Sequence, residues 1–305
     1  NPRLKPHADG FWFHMRPTYY HNLVTPLYPE FRLGWLSLYF MIFETLTGIF
    51  LMVFYTPSPL VAFENMLNIL SNVPLGLFMR DLHKFGAEMM VAVVFLHMLR
   101  TFITGNYKKP RQFTWFSGVV LLFVTLILSF SGYLLPWDQL SLWAVTIGAS
   151  MFEATPTPWP LNIFGEQVLG DPSFVGTWIN NIMRGGPLFN ADGLLRWYLL
   201  HILALPLIGF VFIGVHYYKV VIHGHSLPPE AEKVGEDTAK RVPMDQRTYF
   251  MPDVITRELF YVALVTFICV FAVTLGGFHA PLEPHADSLV TPLHTTAPWY
   301  FLWVQ

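Results

Sequence analysis

Five apolar stretches set the limits on what this chain can fold into. They are residues 34–55 (A), 81–104 (B), 114–136 (C), 197–222 (D) and 257–278 (E) of 305. Each reaches the roughly 20 residues that cross a hydrocarbon core as a helix. A sixth (F) begins near Trp299, just before the sequence stops at Gln305, so further helices are expected on a missing segment or on another subunit. Backbone polar groups in lipid must be bonded internally, which predicts helices rather than open strands. Only 12% of residues are charged and 53% are hydrophobic, against about a quarter charged in soluble domains. A single cysteine, Cys269, excludes a disulfide framework, an iron–sulfur cluster, a Cys-ligated zinc and haem attachment through Cys-x-x-Cys-His.

The cations are distributed unevenly. Arg80, Lys84, Arg184 and Arg196 fall on one side of the predicted spans, and the other 14 of the 18 Lys and Arg fall on the opposite side. The positive-inside rule then places the N-terminus on the cytoplasmic (n) side. Spans A, C and E run from the n side to the periplasmic (p) side, and B and D run back. The C–D connection, residues 138–195, is long and is expected to hold short surface helices.

Histidine is the unexpected residue inside these spans. B carries His83 and His97, 14 residues apart, and D carries His201 and His216, 15 apart. Fourteen helical residues cover about 21 Å and nearly four turns, so each pair lies close to one face. Antiparallel B and D then pair His83 with His201 near the p side and His97 with His216 near the n side. Intramembrane imidazoles are costly and usually functional, and two facing ones can supply both axial ligands of a haem iron. A zinc site would need three or four ligands together, and a lone His could simply hydrogen-bond a neighbouring helix. Gly34 and Gly48 on A, and Gly118 and Gly132 on C, repeat the 14-residue step. Glycine lets a backbone approach a flat porphyrin, although glycine pairs also serve helix packing. Arg80 and Arg100 sit at the two ends of B, placed to meet anionic propionates or to snorkel.

Several runs resemble the cytochrome b family of quinol:cytochrome c oxidoreductases. They are Asp81–Leu82–His83, His97–Met98–Leu99–Arg100, Tyr107–Lys108–Lys109–Pro110–Arg111, Gly132 to Gln139 through Pro136–Trp137–Asp138, and Arg196 to His201. The Lys-Lys-Pro-Arg and Pro-Trp-Asp-Gln runs and the 15-residue step on D are most similar to the cytochrome b6 branch. The resemblance implies an all-α integral membrane protein. It would be a four-helix transmembrane diheme bundle (A to D) plus helix E and the start of helix F. The expected division is an n-side segment 1–32, a diheme domain 33–222, an n-side linker 223–256 and the start of a C-terminal domain 257–305. Two non-covalent b-type haems are implied, one on His83 and His201 and one on His97 and His216, with Arg80, Arg100 and the four glycines around them. Quinol oxidation at the p side would be bifurcated. One electron would pass to a Rieske iron–sulfur protein and a c-type cytochrome, the other through both haems to an n-side quinone, contributing to proton translocation. The implied setting is a homodimeric complex in an energy-transducing bacterial cytoplasmic membrane, in contact with lipid and not nucleic acid.

Three departures from the family pattern matter. The b6 branch has a cysteine for a covalent c-type haem where this chain has Arg32, so no covalent haem is expected here. Helix E and the start of F are fused onto D. The Pro-Glu-Trp-Tyr of the quinol oxidation site reads Ala297–Pro298–Trp299–Tyr300, without the glutamate that usually takes a proton. A substitute acceptor is expected near the p side. His294 is the first choice, with Asp138, Glu283, His285 and Asp287 as further groups and Trp299 and Tyr300 as site residues. At the n-side quinone site the available groups are Lys219, His223, Asp253 and Arg257. Glu44, within A, has no assigned role. Two other readings are a diheme anchor of another quinone-linked complex that does not bifurcate, and a proton transporter using a histidine relay.

Overall fold

The described residues are all-α apart from two-residue and three-residue strand pairs. A computed structural model describes residues 18–26, 31–154, 162–163, 166–167, 174–225, 242–293 and 296–303. The helices are α1 (Leu33–Met52), α2 (Ala62–Ser71), α3 (Gly76–Ile103), α4 (Gln112–Tyr133), α5 (Gln139–Ala154), α6 (Phe174–Arg184), α7 (Ala191–Leu199), α8 (Leu205–His223) and α9 (Ile255–Thr274). Five helical segments are long and apolar enough to cross a membrane: α1, α3, α4, the continuous α7–α8 segment and Phe250–Thr274. They coincide with stretches A to E within a few residues at most ends. Their outward faces are apolar, as at Leu46, Phe123, Leu207 and Phe267, which suits lipid rather than water. Of the sixth stretch, the described residues contain a single turn, Trp299–Phe301.

Local chemistry explains where the helices stop. The described chain leaves α4 through Trp137, a non-glycine residue with φ of +57°. The next residue, Asp138, accepts hydrogen bonds from Ser141 N and Ser141 Oγ at 2.8 and 2.6 Å and so caps α5. Asn190 caps α7 by accepting from the amides of Asp192 and Gly193. Gly193 admits nothing larger, because a Cβ there would meet the Arg184 carbonyl.

α7 does not stop before α8. It widens into a π-turn, Leu200–Ala204, in which Leu205 N donates to the carbonyl of Leu200. Pro206 follows; it has no N–H to return to the preceding turn. A second π-turn, Phe250–Val254, opens α9.

The residues form two compact units. One comprises 1–46, 82–126 and 207–278; the other comprises 47–81, 127–206 and 279–305. In the first, one stripe of α9 is buried, from Glu258 through Tyr261, Val265 and Cys269 to Val273. α9 meets α1 and the two residues before it: Arg32 pairs with Glu258 at 2.8 Å, Tyr261 donates to the Phe31 carbonyl at 2.9 Å, and Tyr39 bonds Thr266 at 2.8 Å. Short antiparallel strand pairs join β1 (Tyr19–His21) to β4 (Arg247–Tyr249) and, in the second unit, β2 (Asn162–Ile163) to β3 (Glu166–Gln167).

The second unit has its core at Ala62, Leu134, Trp137, Leu142, Val145, Phe189, Leu194 and Trp197. Burial of each large side chain contributes about 1.5–3 kcal/mol. Its last segment is stitched to polar side chains. Arg80 donates to the carbonyls of Ala280 and Pro281 at 2.6 and 2.5 Å. Asp81 accepts from Ala280 N at 2.9 Å and lies 2.8 Å from His279 Nδ1. Asp138 also accepts from Glu283 N at 3.1 Å.

Candidate haem and quinone sites

Within the first unit, His97 on α3 and His216 on α8 face each other. Their ring centroids are 6.5 Å apart and their planes are inclined by 77°. Metal–imidazole bonds are about 2 Å long, so one metal ion fits between rings at this separation. Gly34 on α1 lies against His97, and Gly118 on α4 lies against His216. A Cβ at position 34 would sit 3.0 Å from His97 Cε1, and one at position 118 would sit 3.4 Å from His216 Cε1. The glycines therefore leave space at the imidazoles, as a flat macrocycle needs.

His216 is held in one tautomer. Ser117 Oγ donates its proton to the Thr114 carbonyl at 2.9 Å, so the 2.9 Å contact between Ser117 Oγ and His216 Nδ1 has the ring as donor. A neutral imidazole protonated at Nδ1 presents its lone pair at Nε2, the arrangement of a metal-ligating histidine whose other nitrogen is bonded to the protein.

The second unit repeats this arrangement around His201, which lies in the π-turn. His201 Nδ1 donates to the Leu128 carbonyl at 3.1 Å. Ser131 Oγ donates to that same carbonyl at 3.0 Å and lies 3.1 Å from the ring nitrogen. A Cβ on Gly132 would approach His201 Cε1 to 2.6 Å. Thr114, Ser117 and Gly118 thus recur as Leu128, Ser131 and Gly132, 14 residues on. Both serines are fully buried. The glycines were legible in the sequence and the serines were not picked out, although a Ser-Gly pair repeated at that interval was there to be read.

His83, in the first unit, has a carboxyl partner on α1. Its Nδ1 lies 3.1 Å from Glu44 Oε2. A Cβ on Gly86 would collide with Glu44 Oε1. Among the described residues no three of His, Cys, Asp and Glu come together as a metal cage.

Arg80 spends its guanidinium on two backbone carbonyls. Arg100 is half-buried near the end of α3, and Gly48 lies on α1. Asp138 is buried and accepts from three protein donors. Tyr300 is buried, edge-on to Trp299 and Phe301 at 5.3 and 4.9 Å between centroids, while Trp299 is exposed. His294 lies outside the described residues. On the other face, Lys219 Nζ sits 5.4 Å from the Phe113 ring centroid. Arg257 donates to Thr25 Oγ1 at 3.3 Å. His223 ends α8, and Asp253 is exposed in the turn opening α9. His225, which the sequence reading passed over, packs edge-on to Tyr20 at 5.5 Å. Burial, followed by the charges of Arg32 and Arg111, pushes its pKa down to about 4.

The chain is similar to several known proteins. Cytochrome b6 of Heliomicrobium gestii is 37% identical over 198 residues, spanning 65% of this chain and 85% of the relative. The cytochrome bc complex cytochrome b subunit of Chlorobaculum thiosulfatiphilum is 29% identical over 299 residues, spanning 98% of this chain and 59% of that protein. Among solved structures, a chain of a hyperthermophilic respiratory Complex III matches with a TM-score of 0.77 at 26% identity, covering 98% of this chain and 74% of its own length. The family model described as cytochrome b(N-terminal)/b6/petB matches residues 88–285. With its spans, its buried imidazoles and these relatives taken together, the chain belongs to the cytochrome b/b6 family and is a subunit related to bc-type quinol:cytochrome c oxidoreductases.

Proposed function

We propose that this chain is the diheme cytochrome b subunit of a quinol:cytochrome c oxidoreductase. The observation that carries the reading is the His97–His216 pair, with its flanking glycines and the anchored Nδ1 of His216. His201 has the same surroundings, and the sequence register pairs it with His83. His97 and His216 would hold the n-side haem, and His83 and His201 the p-side haem. Bound there, two b haems would supply a one-electron relay across the membrane. Ser117, with the Thr114 carbonyl, and Ser131, with the Leu128 carbonyl, keep the ligating imidazoles neutral and aimed. Gly34, Gly118, Gly132 and, by register, Gly48 keep side chains out of the macrocycles' way.

Quinol oxidation belongs at the p side, near Trp299 and Tyr300. The Asp138 carboxylate is already engaged by Ser141 and Glu283, so His294 stays the first candidate. Arg80 acts first as a clamp on residues 280–281, and the propionate role rests more on Arg100. Lys219, His223, Asp253 and Arg257 are proposed for the n-side quinone. The partners would be a Rieske protein and a c-type cytochrome in a dimeric complex. The domain boundaries at 33, 223 and 257 and a cytoplasmic N-terminus belong to the same reading.

The test is spectroscopic. A pyridine haemochrome assay of the purified complex should give two b haems per chain, and quinol plus oxidant should reduce haem b while an n-side inhibitor is present. A colourless protein would end the reading. Haem b that stays oxidised under those conditions would favour a diheme anchor without bifurcation.

A further inference from the structure

We infer that Met41, Met90, Thr125 and Gly209 form a water-tight layer halfway between the two proposed haem levels, one that lets electrons pass and stops protons from following. The inference rests on the diheme reading, which defines the two levels, and goes beyond it. On α1, Gly34 and Gly48 bracket Met41, seven residues from each. At the same spacing His83 and His97 bracket Met90 on α3, and Gly118 and Gly132 bracket Thr125 on α4. On α8, Gly209 stands seven residues before His216 and eight after His201, and the π-turn takes up the extra residue. Seven residues make nearly two turns and rise about 10.5 Å. Each of the four therefore lies on the haem-facing side of its own helix, at mid-height.

All four belong to the first compact unit, and all four are buried. Their chain neighbours Ile42 and Phe210, and Phe123 two residues before Thr125, are exposed. The layer is thus the inner side of these helices at that height. Gly209 closes it. A Cβ there would come within 3.0 Å of Met41 Cε, 3.9 Å of Met41 Sδ and 3.6 Å of Val124 Cγ1. α1, α4 and α8 meet at this point, with a thioether laid against bare backbone. An unbranched, polarisable thioether fills an irregular gap of this kind well.

A buried water needs roughly two to four polar partners, and this layer supplies few. Thr125 is the one polar side chain of the four, and its hydroxyl donates to the Leu121 carbonyl on its own helix at 2.9 Å. The ionisable groups stand on either side: Glu44 with His83 toward one haem level, and His97 with His216 toward the other. An apolar constriction between two polar zones excludes water. A proton needs water or a chain of titratable groups to cross it, and an electron needs neither. Under the proposed function, quinol oxidation and quinone reduction exchange protons on opposite sides, so a leak along the bundle would cancel the gradient they build.

The test is M41Q in the intact complex, reconstituted into sealed vesicles and read as the decay of an imposed pH gradient with neither quinol nor oxidant present. Glutamine keeps the length of methionine and offers water both a donor and an acceptor. The gradient should decay several-fold faster than with the natural complex, with both b haems retained. M41L, which stays apolar, should remain as tight as the natural chain. M41Q vesicles as tight as natural ones would overturn the inference. M41L leaking as fast as M41Q would also overturn it, by assigning the leak to loosened packing. If M41Q fails to accumulate, M90Q brings the same amide into the layer from α3. The same leak is expected, and tight M90Q vesicles would again overturn the inference. A pyridine haemochrome count separates the seal from the diheme reading. A natural complex without b haem removes the two levels and the layer with them, whereas two haems with tight M41Q and M90Q vesicles remove the seal alone.

Discussion

At the scale of single residues, the glycines give the sharpest expectations, because each meets an imidazole at its own distance. A Cβ would come within 2.6 Å of His201 Cε1 at position 132, 3.0 Å of His97 Cε1 at position 34 and 3.4 Å of His216 Cε1 at position 118. A 2.6 Å approach must displace the ring, whereas 3.4 Å is an ordinary contact. G132A is therefore expected to lose most of one haem, G34A to lose part of the other and G118A to change little. Haem per chain by pyridine haemochrome, with the two b bands resolved, would check the order; G118A as damaging as G132A would refute it. The sequence showed these glycines through their 14-residue interval. It could not show the ranking, which depends on how closely α1 and α4 approach each ring. Nor could it show that Ser117 and Ser131 anchor the rings, since a buried Ser on a span usually bonds its own helix. Both do that as well, to Thr114 and Leu128.

At the scale of elements, the five spans were legible because lipid leaves the backbone few choices. Less legible was the short α2 between the first two spans, whose ten residues never reach the length of a span. The uneven histidine steps also needed the structure. His83 to His97 is 14 residues and His201 to His216 is 15. A π-turn inserts one extra residue into a helix, and the turn at Leu200–Ala204 absorbs it. Deleting Leu203 should convert that turn to regular helix and keep both haems. Deleting Phe210, within regular α8, should turn His216 away by about 100° and lose one haem. Equal damage from the two deletions would exclude the turn as the register device. The segment after α8 carries the pH dependence. An unfolded histidine binds its proton near 6.5, while buried His225 does so only near 4. Stability is therefore intact above pH 6.5 and falls as the pH drops toward 4. Hydrogen exchange at β1, β4 and residues 223–225 should accelerate over that window, and H225Q should flatten the response. An unchanged profile in H225Q would assign the acid lability elsewhere.

For the whole molecule, two kinds of information decided the outcome. Apolar length and charge placement, both local, described the spans and predicted their direction. The attachment of residues 279–283 was invisible, because Arg80, Asp81 and Asp138 hold that segment largely through its backbone carbonyls and amides, which carry no residue signature. Direction remains the property with the cleanest test. Fourteen of 18 cations lie on the predicted cytoplasmic side, and one residue makes the measurement simple. Cys269 is the sole cysteine in the sequence and is only 1% exposed, so the natural chain should be nearly silent to a membrane-impermeant maleimide. Lys109 lies in the basic connection between α3 and α4, and Asp287 lies in the segment after α9. K109C should react in inside-out vesicles and not in sealed right-side-out cells; D287C should do the reverse. The opposite pattern would invert the topology, moving Trp299 and Tyr300 to the cytoplasmic side together with the proposed quinol oxidation. The same labelling would then put proton release in the cytoplasm, against the outward translocation proposed above, so the proposed topology and the proposed direction of proton translocation stand or fall on one pair of variants.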